Sequence, residues 1–490
     1  MLASCAAALW LIAAATGVDA DPTVGPLVQV SGPSLFDGCT ADSTQNGAAF
    51  VGSEVEPWVD VDPSDASHLV AAWQQDRWSN GAARGIGSAV SRDGGATWRS
   101  TFVPGLSACS GGVFERATDP WVSISVDGTV YLSAYVFDRT AGQDAVTVSA
   151  SSDGGETWGA PAVVASGPDG NSFNDKEAVT ADPHDADVAY LTWSRFTSPN
   201  GVADDSAYAW SRAIRGGLAI SRTTDGGATW EPHRMIFEST NLLPTFAQIV
   251  VLPNGDLVDV FEESRLPYSK PNGNGTEHTL HVSMTRSTDR GLTWSRPKAI
   301  APAGRVGTTD PESGRPVRAG GLDVAVDPVS GRLHVAWTYA FPGSAVDSIA
   351  LSTSGDGGRT WSAPMKVNRT PTDVPMGAQQ AFNPSVAVSS NGAVAVSYSD
   401  LRTNDPAPQL ATSVSMALCQ STADCASPAG WEERMLTDVP FDLRKAPYAR
   451  GYFVGDYTGL VAAGSDVLAA FTMPHAADTA SVFLRRVTTN

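Results

Sequence analysis

Short apolar runs recur along the chain. Each is closed by Pro, Gly or Asp, and few stretches show the three-and-four apolar spacing of an amphipathic helix. Seven runs open at Glu56-Pro-Trp-Val59, Asp119-Pro-Trp-Val122, Lys176-Glu-Ala-Val179, Phe246-Ala-Gln-Ile249, Gly321-Leu-Asp-Val324, Phe382-Asn-Pro-Ser385 and Asp456-Tyr-Thr-Gly459. After a polar turn a second run follows, as in His68-Leu-Val-Ala-Ala-Trp73, Val188-Ala-Tyr-Leu-Thr-Trp193 and Leu333-His-Val-Ala-Trp337. Continuous small apolar residues suit strands covered on both faces, so the pattern predicts seven pairs of inner strands.

Five near-copies of one segment interlock with these pairs: Ser91 to Trp98, Ser151 to Trp158, Thr223 to Trp230, Ser287 to Trp294 and Ser354 to Trp361. The shared pattern is Ser/Thr-x-Asp-x-Gly-x-Thr-Trp, the Asp-box. Asp accepts backbone N–H groups, Gly supplies positive φ, and Trp buries a ring beside the turn. The segment therefore predicts a structural hairpin between third and fourth strands. A repeat of roughly 60 to 70 residues announces a radial β-architecture. The sixth pair is followed by a degenerate copy, Ser415 to Trp431, in which two cysteines replace the Asp-Gly turn. The seventh keeps three strands, ending at Ser481 to Val487, and Leu27 to Val30 is expected to supply the fourth. The expected fold is an all-β propeller of seven four-stranded blades, closed by an N-terminal strand, in one domain over 21–490. Six blades with an N-terminal extension fit the same pattern.

Composition adds limits. The 490 residues carry a formal charge of −20, which argues against a nucleic-acid partner. Residues 1–20 read as a secretory leader, with an apolar run from Ala6 to Ala15 and a small-x-small site at Val18-Asp19-Ala20. The run is too short to span a membrane, and because a basic start is missing a beginning further upstream is one expectation. Export makes disulfides expected, Cys39 with Cys109 and Cys419 with Cys425, against free buried thiols. Asn274-Gly-Thr276 reads as a glycosylation acceptor or a turn. The histidines show no metal-ligand spacing, no phosphate loop opens a helix, and no cofactor is expected.

Chemistry on a propeller is expected at one end of its axis, where the first strands begin and the second strands end. First-strand starts carry Glu56, Arg116, Asp119, Asp175, Glu177, Gln380, Asn383, Asp456 and Tyr457. Second-strand ends carry Gln74 to Arg77, Phe137 to Arg139, Ser194-Arg195, Glu262 to Arg265 and Ser399 to Arg402. Arginine recurs there in an acidic protein, which fits either a pocket for an anionic sugar or Arg–Asp pairing between blades.

Asp-boxes with this rim resemble the sialidase superfamily. The segment from Arg116 through Ala134 to Asp144 is similar to that family's opening blade, although its Arg-Ile-Pro is absent here. The resemblance implies that Arg116 contacts a substrate carboxylate and that Asp144, or Asp138, is the acid/base. Asn174 to Glu177 followed by Trp193 to Arg195 resembles the family's Glu-to-Arg element; Glu56 with Arg77 fits it as well. It implies Glu177 assisting a tyrosine and Arg195 as a second carboxylate ligand. Arg402 resembles the third, and Gly455-Asp-Tyr-Thr-Gly-Leu460 the strand carrying a nucleophile, Tyr457. Sialidase domains have six blades, one fewer than counted here.

The implied activity is an exported, monomeric exo-α-sialidase-like hydrolase that takes terminal acidic sugars from glycans. A uronate-polysaccharide lyase or hydrolase, and a non-catalytic glycan- or protein-binding propeller, are the other readings of the same sequence.

Overall fold

The computed structural model describes residues 23–139, 142–167, 172–197, 215–240, 242–265, 279–404, 409–475 and 478–489. The expected leader and Asn274-Gly-Thr276 lie outside them. The described residues are strands and loops, with short 3-10 turns such as Ala108–Ser110.

Seven four-stranded antiparallel units follow one another in sequence. Their innermost strands are Glu54–Asp62, Arg116–Ile124, Ser172–Ala181, Leu242–Val251, Leu322–Val326, Ala381–Val388 and Gly459–Ala463. Each neighbours the next, and Gly459–Ala463 returns to Glu54–Asp62, so the seven encircle one axis. A single pair, Ala83 with Ala117, joins the first two units into one sheet. In the seventh unit, Val24–Gln29 pairs with Ser481–Val487 as the outermost strand, bringing the two ends of the described chain together.

The apolar runs become buried strands. Trp73, Trp193 and Trp337 on the second strands have no exposed surface, and Val70, Val122 and Leu132 pack between the first and second sheets. The Asp-boxes lie between third and fourth strands. In the first, Asp93 Oδ1 accepts from Ser91 Oγ (2.8 Å) and Thr97 N (2.9 Å), and Oδ2 accepts from Thr97 Oγ1 (2.6 Å). Hydrogen bonds from Thr97 and Ser91 hold this carboxyl down to about 2. Gly95, at φ 90°, leaves no room for a side chain, because a Cβ there would meet Leu484 of the neighbouring sheet at 2.4 Å. The boxes thus close hairpins and dock sheets.

Both expected disulfides form, Cys39–Cys109 and Cys419–Cys425, each with Cα atoms 5.7 Å apart. The second replaces the box turn in the sixth unit, between Ala411–Cys419 and Trp431–Met435. No helix among the described residues is long and apolar enough to cross a membrane.

Candidate functional site

Five of the seven first strands share a local distortion that aims side chains at the axis. Pairing between first and second strands shifts register at Val55/Trp58, Thr118/Trp121, Asp175/Ala178, Thr245/Gln248 and Phe382/Ser385. Inside each shift one non-glycine residue takes positive φ: Glu56 (54°), Asp119 (52°), Lys176 (54°), Phe246 (56°) and Asn383 (51°). A bulge re-aims the side chain of the extra residue, and left-handed backbone at a side-chain-bearing residue costs on the order of 1 kcal/mol or more. Five repetitions of that cost mark the axial end as a place where side-chain direction outranks backbone comfort.

Three of the re-aimed residues, Glu56, Asp119 and Phe246, meet around the fourth, Lys176. Its ammonium lies 2.7 Å from Asp119, 2.9 Å from Glu56 and 3.2 Å from Asp456, and over the rings of Phe246 and Tyr457. Burial alone would lower its pKa, but the carboxylates of Asp119, Glu56, Asp456 and Asp175 outweigh it and hold the ammonium charged. Arg318 Nη2 contacts Asp456 at 2.6 Å, and both Arg318 and Arg77 stack over Phe453 at 4.5 Å. Against its burial, Arg318 and Lys176 hold Asp456 ionised far below the usual carboxylate range.

A cavity of about 670 Å³ opens beside this hub, walled by the first, second and third units and by Phe246, Arg318, Arg450 and Asp456. Its wall alternates aromatic faces (Tyr135, Phe137, Phe173, Phe246) with carboxyl groups (Asp119, Asp138, Asp144, Asp175) and cations (Arg77, Arg139, Lys176). Asp175 is half-buried. Burial, then the neighbouring Asp119 carboxylate, push its carboxyl up to about 7. Asp144 sits at the start of the third strand of the second unit. Its Oδ2 accepts from Tyr135 Oη (2.9 Å) and Asn174 Nδ2 (2.7 Å). Burial raises its pKa against the pull of those two donors. Burial and the Asp144 charge in turn push the Tyr135 phenol well above its usual range.

The expected site residues do not gather together. Asp144 lines the cavity. Tyr457 lies behind the wall: its hydroxyl donates to the Pro120 carbonyl at 2.9 Å, and its ring packs against Trp58 and Trp121. Burial, with Glu56, Asp119 and Glu177 nearby, pushes that phenol well above 10. Glu177 is buried with both carboxyl oxygens unpartnered, and burial drives it well up. Residues two apart on a regular strand share a face, but the register shift between Asp175 and Ala178 breaks the alternation, so while Asp175 faces the cavity Glu177 is covered.

The three arginines are engaged elsewhere. Arg116 gives Nε to Gln45, Nη1 to Asn80 and Gly81, and Nη2 to Asn46, and stacks on Trp78. It ties the N-terminal segment to the loop at the cavity edge. Arg195 donates to Asn174 Oδ1 (2.9 Å) and Ser172 Oγ (3.1 Å). Arg402 pairs with Asp400 (2.6 Å) and Glu433 (2.5 Å) in the sixth unit, apart from the cavity. For these arginines, pairing inside the protein prevails over a shared pocket.

Sequence reasoning did not place Lys176, Tyr135 or Arg318 in the site. Lys176 was within reach, since it occupies the position of Glu56 and Asp119 at the head of an aligned run. Tyr135 required the register: it pairs with Thr118 as Gln74 pairs with Val55 and Ser194 with Asp175, two residues before the position expected to end that strand. Arg318 stands on a two-residue strand outside the repeat, paired to Tyr452–Phe453, and no periodic signal marks it.

No family model matches the chain. A xyloglucanase from Paenibacillus sp is 27% identical over 194 residues, 39% of this chain; the match spans 16% of that protein's length. Similar solved structures include a Hadza microbial sialidase, Hz136 (17% identity, 87% of this chain and 74% of that one, TM-score 0.48). The α-L-arabinofuranosidase Arb93A from Fusarium graminearum is 13% identical (95% and 98%, TM-score 0.47). A polysaccharide lyase, the PL25 ulvan lyase, is 12% identical (81% and 81%, TM-score 0.44).

Proposed function

We propose that this protein is an exported glycoside hydrolase acting on terminal acidic sugars, of exo-α-sialidase type, and that its site is the axial cavity. The seven sheets are the blades of one propeller over 21–490, closed by the N-terminal strand, and one copy holds the whole site. Two disulfides support an oxidising compartment.

The observation that carries the reading is the Tyr135–Asp144 pair, 2.9 Å apart on the wall of a cavity that also presents Asp175. A phenol paired with a carboxylate is a neutral nucleophile with its base attached, suited to a substrate that brings its own negative charge. Asp175, at about 7, carries a proton near neutral pH. Asp175 gives that proton to the leaving oxygen as the glycosidic C–O bond breaks. The Tyr135 oxygen bonds to the anomeric carbon while its proton passes to Asp144 Oδ2. Water, deprotonated by Asp175, then displaces the tyrosine, and Asp144 returns the proton to it. Arg77, Arg139 and Arg450 on the same wall supply positive charge for a sugar carboxylate. The aromatic faces stack on the sugar ring. In this proposal the acid/base role implied for Asp144 passes to Asp175, and Asp144 takes the assisting role implied for Glu177. The nucleophile role falls to Tyr135 in place of Tyr457, and the carboxylate ligands to cavity arginines in place of Arg116, Arg195 and Arg402.

The test is a panel of fluorogenic sialosides, uronides and neutral glycosides, with Asp175→Asn and Tyr135→Phe as controls. Hydrolysis of an acidic glycoside, lost by about 10² or more in both variants, supports the reading. A product absorbing in the near ultraviolet points to a lyase. No turnover of any member refutes the proposal in favour of a binding propeller.

A further inference from the structure

Asn174 is fully buried, one residue before Asp175, and its amide contacts three side chains. Its Oδ1 faces Trp193 Nε1 and Arg195 Nη1, both at 2.9 Å, and its Nδ2 faces Asp144 Oδ2 at 2.7 Å. An indole N–H and a guanidinium N–H can only donate. The atom between them must therefore be the amide carbonyl, which forces the amide NH₂ toward Asp144. Two donors on one end fix what the other end does.

We propose that Asn174 is a positioning residue that holds the Asp144 carboxylate aimed at the Tyr135 hydroxyl, and that Trp193 and Arg195 lock Asn174 in that orientation. The inference rests on the functional reading above. It gives Arg195 a task behind the wall: it acts on Asp144 through Asn174. With Oδ2 accepting from both Tyr135 and Asn174, that oxygen is the one that receives the phenol's proton.

Among the described residues, the groups facing Asp144 are few. Tyr135 comes from the preceding strand, Asn174 and Asp175 from the first strand of the third unit, and Arg195 from its second strand. The outer neighbour, Ala162–Ser166, carries no titratable residue. The Asn174 hydrogen bond and the Arg195 charge both favour ionised Asp144.

Two variant sets test the inference, each checked for folding by near-ultraviolet circular dichroism. Asn174→Ala removes the donor. Arg195→Met releases the amide, whereas Arg195→Lys keeps a cation and a donor. The expected result is an acidic limb of kcat moved to higher pH by about one unit in Asn174→Ala, a smaller move in the same direction in Arg195→Met, and a near-native profile in Arg195→Lys. KM should change less than kcat.

Carbon-13 NMR titration of Asp144, assigned by loss of its signal in Asp144→Asn, reads the same shift without turnover. An Asp144 titration unchanged in both Asn174→Ala and Arg195→Met overturns this inference even if the wild type hydrolyses sialosides. If no glycan is turned over, the functional reading fails and the NMR shift alone decides this one. Should Asn174→Ala not fold, the contrast between Arg195→Met and Arg195→Lys decides.

Discussion

Replacing Lys176 with Met should destabilise the protein, and do so more at pH 8 than at pH 5. The ammonium is more than nine-tenths buried and contacts Glu56, Asp119 and Asp456 within 3.2 Å. Removing one member of a buried ionic cluster costs about 3–5 kcal/mol, because the remaining charges lose their compensation. At roughly 2.1 cal/mol/K per residue, the unfolding entropy of a chain this long is about 1 kcal/mol/K, so the loss corresponds to a Tm lower by about 3–5 °C. The pH dependence follows from Glu56, which burial raises to about 7 even with Lys176 present. Below that value Glu56 takes up a proton and one negative charge leaves the hub, so the variant loses less. The assay is differential scanning calorimetry of wild type and Lys176→Met at pH 5 and pH 8, with Lys176→Arg as a charge-preserving control. Equal Tm values for Lys176→Met and wild type at pH 8, within about 1 °C, would refute the account of the hub as a mutually dependent ionic cluster.

Other outcomes follow from the same geometry. Tyr457→Phe should leave activity within a few-fold of wild type and cost about 1 kcal/mol of stability for the lost bond to Pro120; a loss of activity as deep as that of Tyr135→Phe would return the nucleophile to Tyr457. Calorimetry across pH should show stability falling from about pH 5 to pH 8. Burial raises the folded-state values of Asp60 to about 6, of Asp259 and Asp323 to about 7 and of Glu54 to about 9, so the native state holds protons that the unfolded chain has released, and the stabilisation fades as pH rises through those values. The box residues Asp93 and Asp153, held at about 2, act in the opposite sense and lose their contribution below about pH 4. Cys39→Ser with Cys109→Ser removes a cross-link over 70 residues and should lower stability by about 4 kcal/mol, measured by guanidinium unfolding; an unchanged midpoint would show that the N-terminal segment is held by polar contacts such as Arg116–Gln45 and Arg84–Asp42 without the cross-link.

What the sequence determined by itself is what repeats. The Asp-box carries its own partners within seven residues, so Asp93, Thr97 and Gly95 specify their hairpin wherever the chain goes. The apolar runs specify strands covered on both faces, whereas four cysteines allow three pairings, and the fold selected Cys39 with Cys109 and Cys419 with Cys425. Even the axial end was legible, because Asp119, Asp175 and Asp456 all head first strands and all reach the cavity. The tertiary structure alone decided which of those heads turn inward. A one-residue bulge reverses the face a side chain presents, and it separated Asp175 in the cavity from Glu177 in the core. Distance along the chain likewise hid the partners of the arginines. Arg116 meets Gln45 across 71 residues and Arg318 meets Asp456 across 138, and an arginine's role depends on which carboxylate or carbonyl the fold delivers to it.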